Sequence, residues 1–521
     1  MSSRVVTIVL DGISMAPFER WLESGELPAI AALCGNGNPQ WHHHTKRFRN
    51  ERCWDIFLSG EDRETVGSTF EPWSYRYYNH SLQRETAYLP FYALGNDYKV
   101  CAFDLPTTLT GAINGIQVVG WGSELNVAFS ASHPPELINQ IHARYGKDPK
   151  LSQSFTVLDA QTQEQENSYI IPNLYDYDAV LEFRDKLMTS VKTRQAIALD
   201  LLERDDWDLF LVNFPELHTA NHVLWHLNEK HPLTHQTDNE QPILAIAQAI
   251  DSAIAQLIQV CGSDAKVVLI TLDNTVVNTM DVPSMAMLPE LMYRYSHPGH
   301  ALLTPAHAGM PVPPVQYNYS ELWKYEIWKL MSVEGRQRLL SPTDLQTAGD
   351  PMSWHPAVWY QQEWPLMRAF ALPSVSDGYI RVNVANRERQ GLVEPGDYHK
   401  VLTELEDLLL ALTNARTDEP LVAKVIRVRQ SPFENPEIPP DLIVSWASDS
   451  PADCVDHPTL GRVGPLPFFR SGGHVPHGSD VKGLFVTYPP CDVSETTNTY
   501  HLELPDISRT ILSLVRNDKQ G

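Results

Sequence analysis

The N-terminal part of the chain contains one short, strongly apolar run. Residues 5–10 (VVTIVL) are all β-branched or leucine, and Asp11 and Gly12 follow directly. A continuous apolar run of this length predicts a strand of a parallel sheet that is covered on both faces. Asp11 is therefore expected at the carboxyl end of a strand, which is where open α/β sheets bind their ligands.

Two later apolar runs are followed by residue types that bind metals. The run at residues 207–214 (WDLFLVNF) leads to His218 and His222. The run at residues 265–272 (AKVVLITL) leads to Asp273. Because the carboxyl ends of parallel strands meet at one edge of a sheet, these side chains are expected to lie close together. Carboxylate and imidazole ligands together suit zinc, manganese or iron, so the pattern predicts a divalent-metal site.

Three histidines follow the second of these strands at a regular spacing. His218, His222 and His226 are four residues apart. On a helix this spacing places the three side chains on one face, so that at least two of them can reach a common ion. The alternative is that the three histidines are structural.

Helical periodicity fills the intervals between the strands. It is found at residues 16–33, 176–204 and 243–260, where apolar side chains recur on one face. Residues 279–367 are instead rich in Pro, Met, Trp and Tyr, and they predict a cap inserted over the strand ends. Since no repeat or linker divides the chain, a single α/β domain over residues 1–521 is expected.

Two polar stretches stand out from this pattern. Residues 40–60 carry three consecutive histidines and four cations, which we interpret as a turn with either an anion-binding or a solvated arginine face. Residues 468–490 place His474 and His477 in a glycine-rich turn. Glycine allows the backbone to approach a ligand closely, so this turn is a candidate site loop.

Composition limits the class of protein. The 521 residues are 43% hydrophobic and 20% charged, as in a soluble globular protein, and no apolar run approaches the roughly 20 residues that span a bilayer. No cleavable leader pattern is present at the N terminus, so a cytoplasmic location is expected. The six cysteines form no CxxC pair, which favours reduced thiols over a thiolate metal site.

The net charge limits the partners. Sixty-four acidic residues against 40 Lys and Arg give a formal charge of −24. Such a surface repels nucleic acid polymers and anionic membranes, which excludes both as expected partners. A small anionic substrate would have to be held by a metal or a local positive patch, and the oligomeric state stays open.

The order of the motifs resembles one protein family. In sequence, the chain has a strand ending in DG, then WxxFLSG, FxExHxxxH, a strand ending in Asp, and GGHxPxG. This order is similar to the alkaline phosphatase superfamily, in its type I phosphodiesterase/nucleotide pyrophosphatase-like branch. Residues 379–398 (YIRVNVANRERQGLVEPGDY) also resemble that branch, so the similarity covers most of residues 4–490. The resemblance implies a mixed, mainly parallel central sheet flanked by helices, with an inserted cap.

The resemblance also implies a site. In the superfamily, two metal ions about 4 Å apart hold a phosphoryl or sulfuryl oxygen while a hydroxyl or modified cysteine attacks. The motif positions imply the following metal ligands in this chain: Asp11, His218, His222, Asp273 and His474.

Two positions depart from the family pattern. Asn274 stands where the family has a histidine, and Asn50 stands where it has the nucleophile. An amide cannot be activated as an alkoxide, so the covalent step requires another group. Asp55 is one candidate for this group, either as a nucleophile or as a metal ligand. Arg52 is a further catalytic candidate beside Asn50 and Asp55. Cys53 and Ser59 lie nearby as further alternatives.

The departures reduce the number of expected metal donors. We therefore expect at most one tightly bound divalent ion, with zinc as the first choice and manganese or iron as alternatives. Arg49 or Arg52 would then supply the positive charge that a second ion provides in the family. Arg49, Asn274 and His477 are the candidates for substrate binding.

The expected function follows from this partly altered site. It is phosphoryl or sulfuryl transfer or hydrolysis on a small ester, for example a nucleotide. The competing interpretation is a non-catalytic pseudo-enzyme that binds an anion or a protein partner through the same pocket.

Overall fold

The computed structural model describes the greater part of the chain. The described residues are 4–45, 52–61, 68–79, 88–123, 130–158, 165–169, 171–233, 241–304, 310–350, 352–447, 450–476, 478–491 and 502–520.

The chain alternates strands and helices. The strands are β1 (Val5–Ile13), β2 (Asn38–Thr45), β3 (Ser68–Glu71), β4 (Arg76–Asn79), β5 (Gly95–Phe103), β6 (Ile113–Val119), β7 (Ala131–His133), β8 (Leu151–Leu158), β9 (Gln165–Tyr169), β10 (Leu209–Phe214), β11 (Lys266–Val277), β12 (Ala369–Leu372), β13 (Gly378–Val382), β14 (Thr413–Asn414), β15 (Val422–Arg427), β16 (Leu442–Trp446), β17 (Val455–His457), β18 (Gly461–Val463), β19 (Gly472–His474), β20 (Asp480–Tyr488) and β21 (Leu502–Glu503). The α-helices are α1 (Met15–Glu23), α2 (Pro28–Asn36), α3 (Arg52–Ser59), α4 (Leu137–Tyr145), α5 (Tyr177–Leu202), α6 (Glu216–Asn228), α7 (Pro242–Cys261), α8 (Leu288–Ser296), α9 (Trp323–Lys329), α10 (Val333–Arg338), α11 (Pro342–Thr347), α12 (Pro356–Trp359), α13 (Tyr398–Leu410) and α14 (Leu504–Gln520). A π-helical turn at Val282–Met287 and 3-10 turns at Trp364–Leu366 and Pro395–Asp397 complete the described helices.

A ten-stranded mixed sheet forms the centre of the fold. Its order is β21-β2-β20-β11-β1-β10-β5-β6-β7, and β19 pairs with the end of β11. The five strands from β11 to β6 in this order are parallel to one another, whereas β7, β19 and β20 run antiparallel to their neighbours. This arrangement confirms the α/β class and the mixed, mainly parallel sheet predicted from the sequence.

Strand β1 lies in the middle of the sheet because both of its faces are apolar. Val6, Ile8 and Leu10 belong to one core, which also includes buried side chains of α5, α6 and α7. Val5 and Val9 belong to a second core on the opposite face, which includes α3 and α14. Successive residues of a strand point to opposite faces, so an unbroken apolar run is what a sheet between two helical layers requires.

Smaller sheets accompany the central one. Strands β12, β13, β16 and β15 form a four-stranded antiparallel sheet, and β14, β17 and β18 form a three-stranded one. Residues 279–367 contain the π-helical turn, α8 to α12 and one 3-10 turn. Buried residues of this segment belong to the same core as the helices α5 to α7. The single domain and the cap role of 279–367 stay predictions.

The histidine triplet has a different structure from the one predicted. We expected a turn, but residues 42–44 lie in β2, between β20 and β21. His42 is fully buried, and its Nε2 lies 2.9 Å from the carbonyl oxygen of Thr271, to which it donates. Burial lowers the pKa of His42 to about 4, so the ring is neutral at pH 7. Pairing with strands more than 400 residues away along the chain overrides the local turn signal.

Contrary to the expectation that no apolar run approaches the length of a membrane span, helix α7 is long and apolar enough to cross a membrane by length and composition, and it is the one such helix among the described residues. In this fold it packs against α5 and α6, and its residues Ile246, Ile250 and Leu257 are buried in the core. Its apolar character is therefore accounted for by its packing against α5 and α6 in the core.

Candidate metal centre

The site begins at the carboxyl end of β1. Asp11 is buried, and its Oδ2 lies 3.1 Å from Nδ1 of His218, on the first turn of α6. Its other oxygen, Oδ1, accepts a hydrogen bond of 3.1 Å from the indole Nε1 of Trp54 on α3. Both carboxylate oxygens of Asp11 are thus held, and its charge faces an imidazole.

Gly12 makes this contact between β1 and α6 possible. Its φ of +64° lies in the left-handed region, which glycine adopts without strain. A Cβ at this position would lie 2.4 Å from Cβ of His218. Only a residue without a side chain lets the helix come close enough for His218 to reach Asp11.

His222 is fixed one turn further along α6. Its Nδ1 lies 2.9 Å from the carbonyl oxygen of Gly472 in β19. A carbonyl can only accept, so Nδ1 carries the proton and Nε2 carries the lone pair. Burial, together with the positive charge of Arg470, holds the pKa of His222 well below its usual value. The ring is therefore neutral at pH 7, which is the form that binds metals.

His474 comes to the site from the opposite end of the chain. It ends β19, which pairs antiparallel with β11 so that His474 lies opposite Thr275. Its Nδ1 lies 3.0 Å from Oδ2 of Asp273. Asp273 has a φ of +55°, and its Oδ1 accepts a hydrogen bond of 2.8 Å from the backbone N–H of Asn274.

The three imidazoles converge. One ring nitrogen from each of His218, His222 and His474 lies within 4.8 Å of the other two, and all three side chains are buried. Nε2 of His218 is 3.0 Å from Nε2 of His222, and the ring centroids are 4.8 to 5.1 Å apart. Two imidazole nitrogens this close must share either a proton or a cation, because two lone pairs would repel each other.

The donor set fits a divalent metal. Three neutral imidazoles with a fourth position open are a common ligand set of catalytic zinc. In such sites the second nitrogen of each histidine donates to a carboxylate or a carbonyl, which fixes the ring and its tautomer. His218, His222 and His474 show this arrangement with Asp11, Gly472 and Asp273 as the acceptors.

The structure brings together all five residues that were predicted as metal ligands. The histidines form the cluster itself, whereas Asp11 and Asp273 each lie against one of its rings. Direct metal ligation by the two carboxylates stays a prediction. His226, the third histidine of the helical series, lies outside the cluster, with Nδ1 3.0 Å from Oγ of Ser471.

Among the other predicted site residues, the structure shows side-chain contacts for Asn274 and Asp55. Oδ1 of Asn274 accepts a hydrogen bond of 3.3 Å from the backbone N–H of Met15. Asp55 is half-buried on α3, and its Oδ1 accepts a hydrogen bond of 3.0 Å from Tyr88. Arg52 begins α3, and its side chain is not described. Arg49, Asn50 and His477 lie outside the described residues.

Sequence reasoning missed two residues next to the site. Trp54 belongs to the WxxFLSG motif, but nothing in its spacing shows that the indole donates to Asp11. Arg470 stands four residues before His474 in FFRSGGH, and it forms an ion pair of 2.6 Å with Asp281. A cation directly before the glycine-rich turn was the available signal for Arg470.

A buried ionic cluster anchors the start of α6. Arg194 of α5 is fully buried, with Nε 2.6 Å from Oε1 of Glu216 and Nη1 2.8 Å from Oδ2 of Asp104. The hydroxyl of Ser190 lies within 3.0 Å of both Glu216 and Asp148. Glu216 is the first residue of α6, so the cluster fixes the helix that carries His218 and His222.

One member of this cluster is expected to make stability depend on pH. Burial raises the pKa of Asp148 to about 6, although the positive charges of Lys150 and Arg194 act to lower it. The folded state then binds more protons than the unfolded state between about pH 4 and pH 6, so this carboxyl lowers stability as pH rises through that window. Asp148→Asn is expected to remove this contribution, which is about 3 kcal/mol at most.

Urea unfolding at pH 4, 5, 6 and 7 measures the effect. The stability difference, wild type minus Asp148→Asn, should decline from pH 4 to pH 6 and then level off. The exposed Asp407→Asn on α13 is the control for the loss of one surface carboxylate. A difference that does not vary with pH would contradict the assignment to Asp148.

The comparisons with known proteins find distantly similar solved structures. No family model matches the chain, and no curated protein matches its sequence. Phosphonoacetate hydrolase from Sinorhizobium meliloti 1021, in complex with phosphonoacetate, is similar over 99% of this chain and 96% of its own, with 12% identity and a TM-score of 0.47. Murine ectonucleotide pyrophosphatase/phosphodiesterase 5 is similar over 99% and 95%, with 10% identity and a TM-score of 0.42. The human protein of the same name gives 10% identity and a TM-score of 0.40, also over 99% and 95% of the two chains.

The three structures are 10–12% identical to this chain. With TM-scores below 0.5, the likeness is too remote to assign a function to this chain. The chemistry of the site itself must supply that argument.

Proposed function

We propose that this protein is a metal-dependent enzyme that transfers or hydrolyses the phosphoryl or sulfuryl group of a small anionic ester. The observation that carries the proposal is the buried cluster of His218, His222 and His474, whose ring nitrogens lie within 4.8 Å of one another. The cluster lies at the carboxyl edge of the parallel strands, which is where α/β sheets bind ligands.

The proposed cofactor is one tightly held divalent ion, with zinc as the first choice and manganese or iron as alternatives. Three imidazoles with anchored tautomers favour zinc, and Asn274 is a poor ligand for a second ion. When bound, the ion would supply Lewis acidity toward an ester oxygen.

The chain's own residues prepare the site. Asp11 and Asp273 accept hydrogen bonds from His218 and His474, which keeps a proton on Nδ1 and makes Nε2 of each ring more basic. Trp54 holds Asp11 in place by donating to its second oxygen. Because the three histidines are at most 5% exposed, bulk water has little access to the cluster.

The attacking group is sought among the residues around the WxxFLSG motif. Asn50 stands at the nucleophile position but cannot be activated as an alkoxide, whereas an aspartate such as Asp55 is a chemically competent nucleophile toward phosphoryl groups. Asp55 accepts a hydrogen bond from Tyr88, which positions one of its carboxylate oxygens.

A screen of model esters tests the reaction class. Wild type dialysed against zinc or manganese is incubated with nitrophenyl phosphate, bis-nitrophenyl phosphate and nitrophenyl sulfate, and release of nitrophenol is followed. Turnover of at least one ester is expected, and His222→Ala should lose it. Absence of turnover with all three, together with tight phosphate binding, would instead support a pseudo-enzyme that binds an anion.

A further inference from the structure

Arg470 lies beside the histidine cluster and is held there by a defined network. Its Nε forms an ion pair of 2.6 Å with Oδ2 of Asp281. The same oxygen accepts a hydrogen bond of 2.6 Å from Nδ2 of Asn278. Nδ2 of Asn278 also lies 3.4 Å from the carbonyl oxygen of Gly472, which is the acceptor for His222. A continuous chain of hydrogen bonds therefore links the guanidinium to His222 through Asp281, Asn278 and Gly472.

The backbone next to Arg470 is fixed to the metal-binding helix as well. The N–H of Ser471 donates to the carbonyl oxygen of His222 at 2.8 Å. The charge of Arg470 also contributes to the low pKa of His355. His355 is neutral at pH 7, because its pKa is lowered to about 4, so it does not oppose the guanidinium.

One end of the guanidinium lacks a hydrogen-bond partner in the described part of the chain. Nη2 of Arg470 is shielded from solvent and makes no hydrogen bond among the described residues. The side chain as a whole is only 11% exposed, and Oδ2 of Asp281 accepts from both Arg470 and Asn278. A charged donor that is buried without an acceptor is costly, and such groups in native structures commonly have a functional reason.

We propose that Nη2 of Arg470 binds a non-ester oxygen of the anionic substrate at the histidine cluster, an inference that rests on the function proposed above. An oxyanion supplies the acceptor that the buried Nη2 lacks, and guanidinium groups match phosphoryl and sulfuryl oxygens in geometry and charge. Arg470 then supplies the positive charge that the sequence led us to expect from Arg49 or Arg52. Asp281 acts as a positioning residue, because it orients the guanidinium through Nε.

Binding of inorganic phosphate to the metal-loaded protein tests this role. Titration calorimetry gives the dissociation constant, and elemental analysis gives the metal content of the same samples. Arg470→Gln is expected to weaken phosphate binding at least tenfold while the metal content stays at the wild-type level. The phosphate affinity of Arg470→Lys should lie between those of wild type and Arg470→Gln, because lysine keeps the charge and loses the planar guanidinium.

Two further variants separate substrate binding from a structural ion pair. Asp281→Asn keeps the guanidinium but loses the charge that orients it, so phosphate binding should weaken by less than it does in Arg470→Gln. In Arg470→Gln the buried carboxylate of Asp281 is left without its ion pair. The double variant Arg470→Gln/Asp281→Asn removes this carboxylate, so it should be more thermally stable than Arg470→Gln while phosphate binding stays weak. Arg416→Gln is the matched control, because Arg416 forms a two-contact pair with Asp453 away from the cluster.

The outcomes distinguish this inference from the proposed reaction. Phosphate binding by Arg470→Gln equal to that of wild type, or recovery of binding in the double variant, would overturn the role of Arg470 and leave the reaction standing. Arg470-dependent phosphate binding without turnover of any ester would support the anion site and overturn the reaction.

Discussion

Replacing His222 with alanine is expected to abolish tight metal binding. Nε2 of His222 is 3.0 Å from Nε2 of His218, and both belong to the three-histidine cluster. Two remaining imidazoles cannot hold a tetrahedral ion firmly, so metal affinity should fall by at least about 100-fold, and turnover should fall with it. Wild type dialysed against metal-free buffer should retain one equivalent per chain, and His222→Ala none, by elemental analysis.

A neighbouring histidine provides the control for this experiment. His226 is buried on the same helix one turn later, but its Nδ1 contacts Ser471 and it lies outside the cluster. His226→Gln should keep one equivalent of metal. Two equivalents in wild type would refute the single tight site, and zero would refute the metal centre itself and leave an anion site held by arginine as the better account.

Substitution of Gly12 by alanine is expected to damage both the fold and the site. The φ of +64° disfavours any residue with a Cβ by about 1–2 kcal/mol, and the new Cβ would lie 2.4 Å from Cβ of His218. Relief of that overlap requires β1 and α6 to move apart, which adds about 1–3 kcal/mol. The displaced His218 would lose its alignment with Asp11, so metal affinity should drop at least about tenfold.

Gly25 separates these two effects. Its φ of +78° is similarly unfavourable for alanine, but a Cβ there meets nothing within 4 Å. Gly25→Ala should therefore cost only about 1–2 kcal/mol in urea unfolding and should leave metal binding unchanged. Equal losses of stability in the two variants, with metal binding intact in both, would show that the contact between β1 and α6 is not as tight as the structure indicates.

Much of the sheet and part of the site could be predicted from local sequence. The run at residues 5–10 predicted a strand covered on both faces, and β1 is buried along its whole length. The spacing of His218 and His222 predicted one face of a helix, and both lie on that face of α6. These predictions succeed because periodicity and burial are properties of a few consecutive residues, which the sequence displays directly.

The tertiary structure decided which groups complete the site. Helical spacing alone could not distinguish His226 from His474 as the third member of the cluster, because the choice depends on β19 pairing with β11 about 200 residues earlier in the chain. The same pairing brings Arg470 beside the cluster, whereas the sequence directed attention to Arg49 and Arg52.

The histidine triplet at residues 42–44 also shows what local sequence could not predict. By itself the sequence determined the apolar strands, the acids that follow them and the helical histidine pair. Only the tertiary structure decided that residues 42–44 form a strand between β20 and β21, because sheet pairing depends on partners that are distant in sequence. Hydrogen bonds across a sheet and contacts around a buried charge leave no periodic trace in the chain, so they become visible only once it is folded.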